Sequence, residues 1–213
     1  MTDHPIIFSG PMVRALLDGR KTMTRRLAFD KKGRPTTWSK ILLAMQQQRE
    51  LEERIKAIRP GDRLWVREAF AFASIAPIVS TIDNPMAVWR EGDGRTDYGG
   101  PWKPSIHMPR RASRLTLVVT ATKLERLQDI SEADAIAEGV VKNEPSGDGL
   151  LCTYVPGLPE AELLCADGVS AGLVFGRLWR HLHGPESWDA NPEVVAISFT
   201  VHKTNIDQMK EAA

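Results

Sequence analysis

The chain has little of what several specialised protein classes require. Its 213 residues hold two cysteines, Cys152 and Cys165, so a disulfide framework is not expected, and neither belongs to a CxxC pair. Lysine plus arginine (28) balance aspartate plus glutamate (27) to a net charge of +1. That balance argues against a chain built mainly to neutralise a nucleic-acid backbone; RNA affinity would have to come from a local patch. No apolar run approaches the roughly 20 residues that span a bilayer. The first eight residues, with Asp3 and His4, contain no run of signal length. The expected location is the cytoplasm, with no membrane partner. No GxGxxG follows a strand and no Walker loop occurs, so nucleotide-phosphate chemistry has no support and no cofactor is expected. His181 and His183, at i and i+2, do not share a helix face, and no third ligand sits at metal spacing, so no metal site is expected.

What remains is an ordinary globular composition, 42% hydrophobic and 26% charged, enough for one well-buried domain carrying insertions. Residues 5–8 form a short apolar strand. Pro11 can open a helix whose stripe is Met12, Val13, Leu16 and Leu17, and Gly19 stops it. Pro60-Gly61-Asp62 is a turn before the alternating strand Arg63 to Phe70. Residues 113–123 form the strongest strand of the chain. Ser131 with Asp134 marks a capped helix through Glu138, closed by Gly139. Residues 173–182 form an apolar helix and residues 194–201 a last core strand. The segments near 28–57, 71–111 and 140–169 interrupt this order as insertions, the first with a helix over 38–58. Trp89, Trp102, His107 and Met108 in the second either wall a base-sized pocket or cover one end of the core.

The densest chemistry lies in Gly19-Arg20-Lys21-Thr22-Met23-Thr24-Arg25-Arg26. A lysine among like charges loses its proton more easily, and a neutral amine can activate a hydroxyl or a water for attack on an acyl carbon. Thr24 is the candidate hydroxyl and Thr22 its rival. A regular strand would point Lys21 and Thr24 to opposite faces, so joint action requires Lys21 on the turn after Gly19, or a bulge. Read without that chemistry, the segment is a solvated basic turn.

The order of a helix running into GRKTMTR, the Pro60-Gly61-Asp62 turn, the strand Leu115 to Thr122 and the helix ending in Glu138 resembles the ASCH domain, a PUA-like β-barrel family associated with RNA. Ser187-Trp188-Asp189-Ala190-Asn191-Pro192 resembles a signature of its longer, prophage-carried members. The resemblance implies an α+β, PUA-like mixed β-barrel with flanking helices and the three insertions. One branch of the family hydrolyses N(4)-acetylcytidine with a Lys, a Thr and a Glu. Matching its motifs places these on Lys21, Thr24 and Glu138, the last within Ser131-Glu132-Ala133-Asp134-Ala135-Ile136-Ala137-Glu138. The implied activity is metal-independent hydrolysis of the exocyclic amide of an N(4)-acylated cytosine, in a nucleoside or nucleobase substrate. Thr24 acts as nucleophile, or Lys21 and Glu138 activate water. Thr22, Arg25, Trp65, Arg67 and Glu68 are the expected substrate contacts. The alternative is an RNA-binding or ribonuclease module in which Arg25, Arg26, Arg67, Arg110, Arg111 and Arg114 line a groove, with Trp65 or Trp102 stacking bases.

Overall fold

The computed structural model describes residues 1–28, 58–72, 87–91, 101–145, 150–157, 164–165 and 168–209. Ten strands and three α-helices occur among them. In chain order these are β1 (Asp3–Ile7), α1 (Gly10–Leu17), β2 (Met23–Leu27), β3 (Arg63–Arg67), β4 (Phe70–Phe72) and β5 (Ala87–Trp89). There follow β6 (Thr116–Arg126), α2 (Glu132–Ala137), β7 (Val141–Pro145), β8 (Leu151–Tyr154), β9 (Leu164–Cys165), α3 (Ala171–His183) and β10 (Glu193–His202). The fold is a mixed α+β arrangement with a mostly sheet core.

The central sheet has the order β1-β3-β6-β10-β2. β1 runs parallel to β3, and the remaining pairs are antiparallel. One face buries Leu64, Val66, Leu117, Val119, Val195 and Ile197. Met12, Val13 and Leu16 of α1 and Val174, Phe175 and Leu178 of α3 pack into the same core. The stripes at i, i+3 and i+4 put these residues on one helix face. The helix starts follow local chemistry. Ser131 Oγ accepts from Asp134 N–H and Ser170 Oγ from Leu173 N–H, each satisfying an otherwise orphaned donor.

The expected closed barrel is not formed among the described residues. β1 and β2 are the two edges of the sheet, with no ladder between them. A side chain reaches across instead: Arg26 Nη2 donates to Ile7 O at 2.8 Å, and its guanidinium lies over the Phe8 ring. Both edges border a cavity that residues of α3 also line.

Of the three insertions, residues 29–57, with the expected helix over 38–58, lie outside the described residues. In the second, Met108 packs with Phe70 in a small satellite core bordered by Trp89, and Trp102 packs on Ala71 and Val88. His107 is exposed. The third insertion contains the sheet β7-β8-β9. There the expectation of no disulfide is corrected: Cys152 faces Cys165 in the antiparallel β8–β9 register and is disulfide-bonded. Thirteen positions of sequence separation say little about pairing, whereas two adjacent strands bring the backbones to bridging distance. No helix among the described residues is long and apolar enough to cross a membrane.

Candidate active site

Two helix ends build the site. α1 stops where Gly19 takes φ +73°, and the chain turns back so that Lys21 N–H donates to Ala15 O at 3.0 Å. β2 begins only at Met23, so Lys21 sits on the turn and escapes the alternation of the strand. α2 ends at Glu138, followed by Gly139 at φ +109°. The two ends are tied by Thr22 N–H donating to Ala137 O at 2.8 Å. A Cβ on Gly139 would lie 3.3 Å from that of Ala15 and 3.8 Å from that of Lys21, so this approach needs glycine both for its backbone and for its missing side chain.

The result is a buried ion pair. Lys21 Nζ donates to Glu138 Oε2 at 2.6 Å and to Glu138 O at 2.8 Å. Lys21 is 1% exposed and Glu138 3%. Burial holds the Lys21 amine below the ordinary lysine range; Glu138 opposes this, and the cations Arg26 and Arg25 add to it. Arg20, expected to act on Lys21, pairs with Asp18 instead. Thr24 is buried on β2 and borders the same cavity as Lys21, whose amine is bonded to Glu138. Lys21 thus contacts the carboxylate rather than the hydroxyl.

Lys21, Thr24, Arg25, Arg26 and Glu138 line one cavity of about 210 Å³. Its other walls are Ile7, Phe8, Ser9 and Met12 on the β1–α1 side and Phe175, Leu178, Trp179, Leu182 and His183 on α3. That volume is below the roughly 300–1,000 Å³ of drug-sized pockets. Phe8, Phe175, Trp179 and His183 give that lining four rings. The indole N–H of Trp179 is buried without a partner, and the His183 ring stacks on it with centroids 4.2 Å apart. Burial, and secondarily Arg26, lowers the pKa of His183, so its neutral form is favoured. The α3 wall was missed in the sequence because the spacing of Phe175, Leu178, Trp179 and Leu182 fits core burial and pocket lining equally.

The other expected substrate contacts do not line this cavity. Thr22 is exposed and precedes β2, so it shares no strand face with Thr24. Arg67 stacks over the Trp65 ring and donates to the carbonyls of Ser105 and Ile106. Glu68 is buried, with both carboxylate oxygens 2.9 Å from Arg114. Arginines expected along an RNA groove are committed elsewhere: Arg25 to Glu125, Asp134 and Glu138, Arg110 to Asp3 and Asp207, and Arg114 to Glu68. Among the described residues, no three His, Cys, Asp or Glu side chains are grouped to hold a metal ion.

No family model matches the chain, and no curated protein matches it. Among solved structures it is similar to the crystal structure of protein EF3133 from Enterococcus faecalis V583, of family DUF984. The identity is 11% and the TM-score 0.38, over 99% of this chain and 86% of that one. A likeness that distant carries no argument about fold or activity.

Proposed function

We propose that this chain is a metal-independent amidohydrolase that removes the acyl group from the exocyclic nitrogen of an N(4)-acylated cytosine, N(4)-acetylcytidine being the probe of choice. The observation that carries the reading is the buried Lys21–Glu138 pair, lining with Thr24 one small cavity that aromatic residues also border. Amide hydrolysis needs a nucleophile, a proton acceptor, a donor for the leaving amine and stabilisation of the oxyanion. A water held by Thr24 gives a proton to the Lys21–Glu138 pair as its oxygen adds to the acyl carbon. The C–N bond then breaks, the exocyclic nitrogen takes the proton back from the pair, and a carboxylic acid and the free amine leave. Once Lys21 holds the proton it carries three N–H donors, of which Glu138 accepts two, and the third is left to face the developing oxyanion. The contact of Lys21 with Glu138 rather than Thr24 supports water as the nucleophile over the threonine alkoxide.

The test is incubation of the purified protein with N(4)-acetylcytidine, followed by the appearance of cytidine and acetate. Turnover lost in Lys21→Met and Glu138→Gln supports the reading. A folded wild-type protein that leaves N(4)-acetylcytidine and its nucleobase intact overturns it.

A further inference from the structure

Arg25 borders the cavity and was expected to hold substrate, yet it has no hydrogen to offer one. Its side chain is wholly buried. Nε and Nη2 face Glu125 Oε1 at 2.9 and 2.6 Å, and Nη2 also reaches Asp134 Oδ2 at 2.8 Å. Nη1 donates to Glu138 Oε1 at 3.3 Å and to Met23 Sδ at 3.4 Å. A guanidinium carries five N–H donors, and these five contacts use them. The Phe175 ring closes over its remaining face.

We propose that Arg25 is a positioning residue for the Lys21–Glu138 pair, holding Glu138 Oε1 so that Oε2 is the oxygen facing the amine, and setting a fixed positive charge beside Lys21. Its other two carboxylates, Glu125 on β6 and Asp134 on α2, lock the guanidinium itself, so Glu138 is oriented by a group that cannot rotate away. The charged and titratable groups around Lys21 are Glu138 at the end of α2, Arg25 and Arg26 on β2, and His183 from α3 across the same cavity. Without Arg25 the carboxylate is free to swing, and one of the two cations that disfavour the charged amine is gone.

The inference rests on the amidohydrolase reading, and the experiment separates the two. Full-length protein carrying ¹³C-lysine reports the Lys21 titration directly, with Lys21→Met assigning the resonance. The double variant Arg25→Met/Glu125→Gln removes one positive and one negative buried group together, which keeps the charge of the interior balanced. Its Lys21 should bind a proton about tenfold more tightly than wild type. On N(4)-acetylcytidine its kcat should fall about 10- to 100-fold, with KM held within about threefold and the pH–rate limb moving with the Lys21 titration. Should the double variant fail to fold, Arg25→Lys, which keeps the charge and loses the fork, should still lower kcat with KM held. Lys21 titrating as in wild type in the folded double variant overturns the proposal, even where the wild type cleaves nothing. So do an unchanged kcat in Arg25→Lys and a raised KM at unchanged kcat, the mark of a substrate contact.

Discussion

The Nζ of Lys21 lies 2.6 Å from Glu138 Oε2 and 2.8 Å from the main-chain oxygen of the same residue. One residue therefore offers the amine both a carboxylate and the carbonyl end of a helix, and a cation is favoured at each. That double contact holds a lysine in the interior, where its charge would otherwise be excluded. It also makes Lys21 part of the fold as well as of the proposed chemistry.

Replacing Lys21 should therefore cost stability as well as turnover. The sequence alone predicts a harmless substitution, since a long cation is seldom a core residue, but Lys21 is among the largest fully buried side chains. Lys21→Met leaves Glu138 with its Arg25 ion pair and the nearby charge of Arg26. It should destabilise by about 3 kcal/mol, toward the low end for breaking a buried pair because other cations remain. Turnover should fall by about a hundredfold or more. Lys21→Arg should not restore it, because a guanidinium stays charged at neutral pH. Denaturant melts and steady-state rates on the three proteins check this.

Thr24→Val should separate chemistry from packing. Thr24 lies on the cavity wall and valine matches its size, so the melting temperature should change little. If Thr24 holds the attacking water, kcat should fall about tenfold while activity remains. Complete loss, with an acyl-enzyme trapped in Thr24→Ser and seen by mass spectrometry, would make the threonine the nucleophile.

Gly139→Ala should damage stability and site together. The position has φ +109°, and the added methyl would press on Ala15 at the approach of the two helix ends. A cost of about 1–3 kcal/mol follows from the backbone alone. Glu138, one residue away, should shift with it and lower kcat. A thermal melt with parallel kinetics tests the pairing; unchanged values in both would refute the close approach.

His183 predicts the acid side of the stability profile. Its folded-state pKa is lowered by burial and by Arg26, so the unfolded chain binds its proton first as pH falls. Stability should decline from about pH 6.5 down to the lowered folded value, because protons there favour the unfolded state. His183→Phe, which keeps the stacking on Trp179, should remove this component of the slope. Urea melts between pH 5 and 8 provide the comparison.

Much of the frame was legible without coordinates. The stripe of α1, the cap at Ser131, the alternation of β3 and the strands near β6 and β10 are local patterns, and local steric and hydrogen-bond preferences decide them. The GRKTMT segment could be singled out because it sets an amine and two hydroxyls among guanidinium groups just after a helix stop, whereas Glu138 was reached only through the resemblance to the ASCH family. Their meeting is another matter. Two glycine turns, one backbone hydrogen bond from Thr22 to Ala137 and the close approach of Ala15 to Gly139 bring Lys21 to Glu138, and none of these contacts is written in either segment. The same holds for Arg25, whose strand pattern does not say that three carboxylates from β6 and α2 will surround it. It holds too for β1 and β2, which end as the two unpaired edges of the sheet, and for Cys152 facing Cys165. Local chemistry determined which residues could act and which elements would form. Long-range packing, where a few ångströms decide whether a charge is paired or stranded, determined which of them share a site.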